Sequence, residues 1–317
     1  MQSYCVTLAP LSAFATPLKG DTLFGQLCWA VRNRFGENRL MQLLDGYTAH
    51  SPYAVVSDAF PEGYLPLPKL PGHYYSAIPG MDRKAVKKRC WLPETAVQKP
   101  LKDWLSAAKT SFEVSGNPCG ISEMHTQPHN TINRLTNTTG GDGFSPYSIE
   151  QDWFAPNVRY AFFLLLDSDR LSAVDCLQCL TDIGNLGFGR DASIGLGKYT
   201  ITAFDEKTLR AQTTANACMT LAPCAPQGLG FTSQYSFYQL FTRFGRHGDL
   251  AVHQAGKPFK NPVLMAQTAA IFSVQPPATG FIGQGVGGNG QLSNTLAATV
   301  QQGYAPVIPV SADFAKE

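Results

Sequence analysis

The sequence is poor in charged residues and has no long apolar stretch. Charged side chains make up 15% of the 317 residues and hydrophobic ones 44%, whereas globular proteins average about 25% charged. Intrinsic disorder requires the opposite balance, so we expect a folded protein, and its length predicts two domains. The longest purely apolar run covers 161–166, well short of the ~18 residues that a membrane span requires. The first basic residue is Lys19, so the pattern of a signal peptide is missing and we expect a cytoplasmic protein.

Motifs for nucleotide cofactors and metals are also missing. Gly187, Gly189 and Ala192 match G-x-G-x-x-G/A, but that motif binds a dinucleotide only where it follows a strand and opens a helix. Here the predicted order is helix, glycines, strand, and no P-loop motif G-x-x-x-x-G-K-[ST] occurs. Cys176 and Cys179 form a lone CxxC without a second ligand pair, so two buried thiols are predicted rather than a zinc site. We therefore predict no cofactor and no metal.

The elements of the first 205 residues predict an α+β fold. Hydrophobic spacing predicts a strand at 3–8, a helix from about 23 to 36, a short helix at 39–44 and a strand at 53–57. After the insertion it predicts a strand at 158–167, a helix at 170–183 and a strand at 199–204. Asp21 or Thr22 is expected to cap the first helix, and Asp58 to be a turn or network residue. Prolines punctuate 60–155, which predicts an insertion of loops and short elements that project from the core. Two β-α-β units separated by an insertion follow the split βαβ order of ferredoxin-like folds.

The last third of the chain is less regular. Strand-like pieces occur at 217–222, 235–244, 262–274 and 304–310, and the glycine-rich segment 280–290 is predicted to be a loop. We predict a second, degenerate α+β domain at 206–317, following the first domain at 1–205.

The segment GFGRDASIGLGK at 187–198 is the most informative part of the sequence. Glycines allow the backbone to approach a phosphate closely, and successive amides can form a concave anion site. Arg190 and Lys198 add positive charge to this loop. From the residues alone, a tight loop packed against the sheet is an equally good interpretation.

Several blocks of the sequence resemble the RAMP proteins of CRISPR systems, and in particular the RAMP subunit that caps the crRNA 5′ end in type III-A (Csm) effector complexes. These blocks are GFGRDASIGLG (187–197), FATPLKGDTLFGQLCWA (14–30), SDAFPEGYLPLP (57–68), HNTINRLT (129–136), RFGRHG (243–248) and KNPVLM (260–265). The resemblance implies two ferredoxin-like domains, no catalysis, and binding of the repeat-derived 5′ handle of crRNA. It implies contact with the large polymerase-like subunit and with backbone RAMP subunits. It also implies that the insertion at about 60–155 includes a thumb-like hairpin laid across the guide–target RNA duplex.

The resemblance and the residue types together give a set of candidate RNA-binding residues. In the glycine loop these are Gly187, Gly189, Arg190, Asp191, Ser193, Gly195, Gly197 and Lys198. Asn130 and Arg134 lie in a loop that the resemblance places near RNA, although a surface arginine that pairs locally is an open alternative. Arg243, Arg246 and His247 lie close in sequence to Tyr235, Phe237 and Tyr238. Cations among aromatic rings suit unpaired bases, but a strand edge with core aromatics explains the same pattern.

Two questions remain open in the sequence. The basic run at 82–89 is able to face RNA, a protein partner or solvent. The alternative function is a metal-independent crRNA-processing endoribonuclease, which needs a general base near a 2′-hydroxyl. The histidines to test for that role are His50, His125, His129 and His247.

Overall fold

The computed structural model describes residues 1–140, 143–209, 212, 214–248, 259–274 and 280–312. Positions 141–142 of the predicted insertion lie outside the described residues, as do 249–258, 275–279 and 313–317 of the predicted second domain. The fold is α+β, with antiparallel sheets and few helices. Within the described part of the chain, no helix has the length and apolarity needed to cross a bilayer.

A five-stranded antiparallel sheet forms the centre of the N-terminal half. Its strands are β1 (Gln2–Pro10), β2 (Ala54–Val56), β3 (Phe60–Pro61), β9 (Tyr160–Leu166) and β10 (Tyr199–Glu206). The order is β10-β1-β9-β2, and β3 also pairs with β9. The helices of this half are α1 (Gly20–Phe35), α2 (Glu37–Leu44) and α6 (Ala173–Leu186). The predicted strands, helices and their order are therefore confirmed here.

The first helix begins in a way that the sequence prediction missed. Neither Asp21 nor Thr22 caps α1, because the residue before the helix is Lys19 and no local side chain accepts a hydrogen bond from the first turn. Instead the Gly20 amide donates to Oδ1 of Asp58 at 2.8 Å. Asp58 follows β2 in the chain, so its carboxylate caps the helix from a distant segment. This arrangement satisfies one of the amides that a helix N-terminus leaves unpaired.

Strand β9 is buried along its whole length because both faces of the sheet are covered. Phe162 and Leu164 belong to the core beneath α1 and α6. Phe163, which points to the opposite face, packs in a second core with Met219 and Ile308. A strand covered on both faces has no alternation of polar residues, which explains the continuous apolar run at 161–166.

The first part of the insertion packs against the core, contrary to the prediction that the insertion projects. A three-stranded sheet in the order β4-β5-β6 presents Leu65 and Leu92 to the second core, together with the fully buried Trp104. The many prolines break the chain into short elements. These elements are β4 (Tyr64–Pro66), α3 (Arg83–Lys87), β5 (Arg89–Pro93), α4 (Trp104–Ala107), β6 (Lys109–Thr110) and α5 (Ser111–Ser115). Of these, α3 and α5 contain no buried residue.

The second part of the insertion is a hairpin of β7 (Ser122–His129) and β8 (Tyr147–Phe154). Most of β7 is exposed. A two-stranded hairpin of this kind is what the resemblance to RAMP proteins implied for the insertion.

The C-terminal part contains a four-stranded antiparallel sheet in the order β14-β11-β16-β15 and a two-stranded ribbon of β12 and β13. The bounds are β11 (Ala217–Thr220), β12 (Leu240–Arg243), β13 (Val263–Ala266), β14 (Ile271–Phe272), β15 (Phe281–Gly287) and β16 (Val300–Val310). The prediction of a loop at 280–290 is wrong over most of its length, since β15 occupies 281–287. Its glycines serve close packing: a Cβ on Gly285 would lie 2.5 Å from the carbonyl oxygen of Tyr47. The domain boundary at 205 stays a prediction.

Candidate nucleic-acid interface

The glycine loop joins α6 to β10, in the predicted order of helix, glycines and strand. Its two arms are pressed together, since the Phe188 amide donates to the Gly197 carbonyl oxygen at 2.8 Å. A Cβ on Gly197 would lie 2.1 Å from the Phe188 oxygen, and Gly197 has φ +75°. A Cβ on Gly189 would lie 2.5 Å from Cβ and Oγ1 of Thr16. Glycine is therefore required at both positions by packing as well as by backbone conformation.

The loop is bound to the segment that precedes α1. The Arg190 amide donates to Oγ1 of Thr16 at 2.8 Å, and the Gly197 amide donates to the Ala13 carbonyl at 2.8 Å. The Lys198 amide donates to Oγ of Ser12 at 2.9 Å. These amides stabilise the loop and are not presented to a ligand. In the described part of the chain, the amides of 191–193 have no hydrogen-bond partner, so the loop tip is where the backbone is able to bind an anion.

The loop presents its charged side chains to solvent. The Arg190 side chain is 52% exposed and its Nε donates to Oδ2 of Asp191 at 3.0 Å. Ser193 and Lys198 are exposed, and Gly195 stands at the C-terminal end of the same turn. Lys198 Nζ donates to the Asn185 carbonyl at 3.1 Å, at the C-terminal end of α6, where a cation is favoured by the helix dipole. Arg190 and Lys198 thus provide two accessible cations on one loop.

The base of the hairpin continues the same surface. The backbones of Phe14 and Asp152 exchange two hydrogen bonds, of 3.0 and 2.8 Å. Ile149 of β8 packs with Ala13 and with Leu196 of the glycine loop. The structure therefore brings together the glycine loop, the segment 11–17 and the hairpin base. Asn130 and Arg134 are exposed and follow β7 at the far end of the hairpin, so they share the hairpin with this surface but lie at its distal end.

The hairpin strands carry negative rather than positive charge. Glu123, Glu150 and Asp152 lie on β7 and β8, and neither strand contains lysine or arginine. Large hydrophobic side chains are exposed on both strands, among them Met124 and Trp153. This hairpin is suited to contact bases or a protein rather than phosphates.

The second predicted cluster, at 243–247, is used for internal contacts. The Arg243 guanidinium donates to both carboxylate oxygens of Asp21, from Nε at 2.6 Å and from Nη2 at 2.8 Å. Burial raises the pKa of Asp21, and the guanidinium opposes that rise. His247 is 7% exposed and its Nε2 lies 2.8 Å from Oγ of Ser293. Burial, assisted by the Lys260 charge, lowers the pKa of His247, so the ring is neutral at pH 7. Arg246 is the exposed cation of the three.

Cysteines and histidines are the remaining side chains that the sequence analysis singled out for chemistry. In the described ranges no three His, Cys, Asp or Glu side chains cluster as metal ligands would. Cys176 and Cys179 are buried free thiols, as predicted, and burial raises the pKa of Cys179 to about 11. His125 lies 3.5 Å from Glu123, and His129 stacks on Tyr147 with ring centroids 5.1 Å apart. The histidines proposed for catalysis are thus divided among separate parts of the fold.

Sequence reasoning missed Ser12, Thr16 and Lys19, which help to hold this surface in place, whereas the expectation that Asp58 is a network residue is confirmed. Asp58 accepts hydrogen bonds from Lys19 Nζ at 2.7 Å and from Oγ1 of Thr268. Ser12 and Thr16 anchor the glycine loop, as described above. The signal that could have found Thr16 and Lys19 is their position inside the RAMP-like block at 14–30.

Comparison with known proteins identifies this fold. No protein-family model matches the chain, and no curated protein sequence matches it. Among solved structures, a chain of the Csm1-Csm4 cassette in complex with cA4 aligns over 98% of this chain and 99% of its own, with a TM-score of 0.60 and 15% identity. A chain of the Csm3-Csm4 subcomplex of the type III-A CRISPR-Cas interference complex aligns over 98% and 100%, with a TM-score of 0.61 and 13% identity. Csm4 is the component common to both complexes. The chain has the fold that these chains of type III-A Csm assemblies share. The resemblance seen in the sequence blocks is therefore confirmed at the level of the fold.

Proposed function

We propose that the chain is a non-catalytic RNA-binding subunit of a type III-A CRISPR surveillance complex in the cytoplasm. It binds the repeat-derived 5′ handle of crRNA and bridges the large polymerase-like subunit to the backbone RAMP subunits. The observation that carries this proposal is the fold match over 98% of the chain to a chain of each of two type III-A assemblies. One assembly contains Csm1 and the other Csm3, which fits a subunit with two kinds of neighbour.

The strand order supports a ferredoxin-like first domain. With the insertion set aside, the chain runs β1-α1-α2-β2-β9-α6-β10, and the sheet order is β10-β1-β9-β2. In this order helices connect β1 to β2 and β9 to β10, and the first strand lies centrally, as in the split βαβ arrangement. The C-terminal sheet lacks α-helices over the described part of 206–317, so a ferredoxin-like second domain would be strongly reduced.

The proposed RNA path follows the surface formed by the glycine loop, the segment 11–17 and the hairpin. Arg190 and Lys198 supply accessible cations for phosphates. The hairpin extends from the same surface and is proposed to contact the guide–target duplex with its exposed apolar side chains. Arg243 supports the path indirectly by fixing β12 to the start of α1 through Asp21.

Absence of catalysis is part of the proposal. A ribonuclease without metal needs a general base within hydrogen-bond reach of a 2′-hydroxyl. The His247–Ser293 pair is buried, His125 lies 3.5 Å from Glu123, and His129 stacks on Tyr147. The quadruple variant combines His50→Ala, His125→Ala, His129→Ala and His247→Ala. The proposal would be contradicted if the wild-type chain cleaves repeat RNA and this variant does not.

The test is to purify the tagged full-length chain from its native host and sequence the RNA that copurifies. We expect guides with different spacers and one shared repeat-derived 5′ end. The double variant Arg190→Ala, Lys198→Ala should lose most of this RNA while retaining its protein partners. The matched control Lys99→Ala, Lys102→Ala also removes two exposed positive charges, and it should retain both. Random RNA fragments with the wild-type chain, or equal loss in both double variants, would refute handle binding.

A further inference from the structure

A cleft of about 320 Å³ lies where the N-terminal sheet, the insertion and the segment 237–239 meet. Its apolar walls include Leu67, Trp91, Phe237 and Tyr238. Small-molecule sites in proteins span roughly 300–1,000 Å³, so this cleft has room for one nucleotide-sized group and not for a folded segment.

The aromatic walls are held in fixed positions. The Tyr238 ring stacks on Phe272, with centroids 5.4 Å apart. Phe237 packs edge-on against Tyr74 at 5.1 Å. Trp91 Nε1 donates to Oγ of Ser111 at 3.0 Å. Rings that are already ordered lose little conformational freedom when a flat ligand packs against them.

Amide and ammonium groups line the same cleft. Lys69 Nζ donates to Oε1 of Gln239 at 3.2 Å, which orients that side-chain amide. The backbone amide of Gln267 donates to the backbone carbonyl of Gln239 at 2.7 Å, so the two glutamines are neighbours. Side-chain amides hydrogen-bond the edges of bases, and lysines bind phosphates.

The floor of the cleft is a buried ionic network. Asp58 accepts from Lys19, whose side chain remains 42% exposed, and from Thr268. Ala269, next in the chain, has φ +65°, a left-handed conformation that a residue with a Cβ rarely adopts. Strain of this kind persists where surrounding contacts hold a segment at a ligand site. Here it keeps Thr268 on Asp58 and Gln267 at the rim.

The cleft adjoins the glycine loop. Pro17 lines the cleft, and the preceding residue, Thr16, accepts the hydrogen bond from the Arg190 amide. A strand of RNA with phosphates at the glycine loop would therefore reach the cleft along a continuous surface.

We propose that this cleft binds one unpaired nucleotide of the RNA, with its base against the aromatic wall, its edge read by Gln239 and Gln267, and its phosphate near Lys19 and Lys69. The inference rests on the proposed function, because it takes the RNA to be single-stranded at this point. A base in such a site contributes stacking as well as hydrogen bonds, and it makes one position of the RNA more sensitive to modification than its neighbours.

The test uses the full-length chain and a set of synthetic single-stranded RNAs that carry the repeat-derived 5′ end of the host's guide. Each RNA has one nucleotide replaced by an abasic unit. Wild type should lose about 5- to 100-fold in affinity at one position, the magnitude expected for one stacked base. In the variant Lys69→Ala, Gln239→Ala that penalty should shrink by about 2- to 10-fold, the share of a side-chain hydrogen bond to the base edge, because stacking on the rings remains. The control Lys102→Ala, Gln234→Ala, at exposed positions outside the cleft, should keep the full penalty.

Each outcome decides between the two proposals. Arg190→Ala, Lys198→Ala should weaken binding of every RNA about equally and leave the abasic penalty intact, which supports both. RNA binding without any position that responds to the cleft variant refutes the nucleotide site and leaves the proposed function standing. Loss of a copurifying protein subunit in the cleft variant, with the abasic pattern unchanged, would instead identify a protein contact. No RNA binding by wild type overturns both proposals.

Discussion

Replacing Gly197 by alanine tests whether the glycine loop is closed by packing. The added Cβ would lie 2.1 Å from the Phe188 carbonyl oxygen and 2.5 Å from the Phe188 nitrogen. Both are backbone atoms, so a change of side-chain rotamer cannot relieve the clash. The two arms of the loop must then separate. Separation breaks the Phe188–Gly197 hydrogen bond and disturbs the bond from Gly197 to Ala13, each of 2.8 Å.

The magnitude follows from two contributions. A left-handed conformation costs a residue with a Cβ about 1–2 kcal/mol. Two backbone hydrogen bonds contribute about 1 kcal/mol each to the free energy of unfolding. We therefore expect Gly197→Ala to lower that free energy by about 3–4 kcal/mol. Gly195 has φ +98° but nothing within 4 Å of its Cβ position, so Gly195→Ala should lower it by only about 1–2 kcal/mol.

Urea unfolding of the two variants, followed by tryptophan fluorescence, measures this difference directly. RNA affinity, measured on the folded fraction, should also fall further for Gly197→Ala because Arg190 and Lys198 flank the displaced arms. Equal destabilisation of the two variants would refute the reasoning, since both residues have positive φ and they differ in the space around the Cβ.

Three further predictions concern buried ionisable groups. The pKa of His247 is lowered in the folded state. As the pH drops below about 6.5, this residue is therefore protonated in the unfolded chain before it is protonated in the folded one, and the free energy of unfolding should fall. His247→Gln should flatten that decline in urea titrations at pH 7.5 and 5.5. Arg243→Ala leaves Asp21 buried and unpaired, so urea unfolding should report a loss of about 2–4 kcal/mol, and the double variant with Asp21→Asn should be less destabilised than Arg243→Ala alone. Cys90 and Cys119 are the exposed free thiols and Cys28 is half-buried, so a thiol reagent should label Cys90 and Cys119 fastest in the native protein and reach the five buried cysteines only on unfolding; rapid native labelling of those five would contradict their burial.

Local patterns in the sequence predicted the first half of the fold well. The apolar run at 161–166 became β9, and the periodic residues after it became α6, because each pattern is sufficient to select its element. The prediction of a loop at 280–290 was wrong because the local pattern there is not sufficient to select the element. Glycine in a strand normally signals a turn, but Gly283 and Gly285 are there because the backbones of Gly303 and Tyr47 approach them closely.

Contacts between distant residues account for most of what the sequence could not predict about the candidate site. Arg190 and Lys198 were correctly placed on an exposed loop, since a short glycine-rich connection leaves long cations in solvent. Arg243 and His247 have the same residue types as an RNA site, yet their partners Asp21 and Ser293 lie elsewhere in the chain. The folded structure is needed to show that Arg243 is paired with a carboxylate and that the His247 ring is neutral.

Pairing of cations is a general property of this chain and bears on how it would recognise RNA. With a net charge of +2, long-range attraction of a polyanion is weak. Many of the cations are already engaged with carboxylates, in the pairs Lys19–Asp58, Arg34–Asp182, Arg159–Glu62, Lys207–Glu94 and Arg243–Asp21. A surface of this kind gains little affinity from counterion release, which scales with the number of phosphates neutralised. For the proposed RNA-binding function we therefore expect recognition to depend on shape, on stacking against fixed rings and on neighbouring subunits that hold the RNA from the other side.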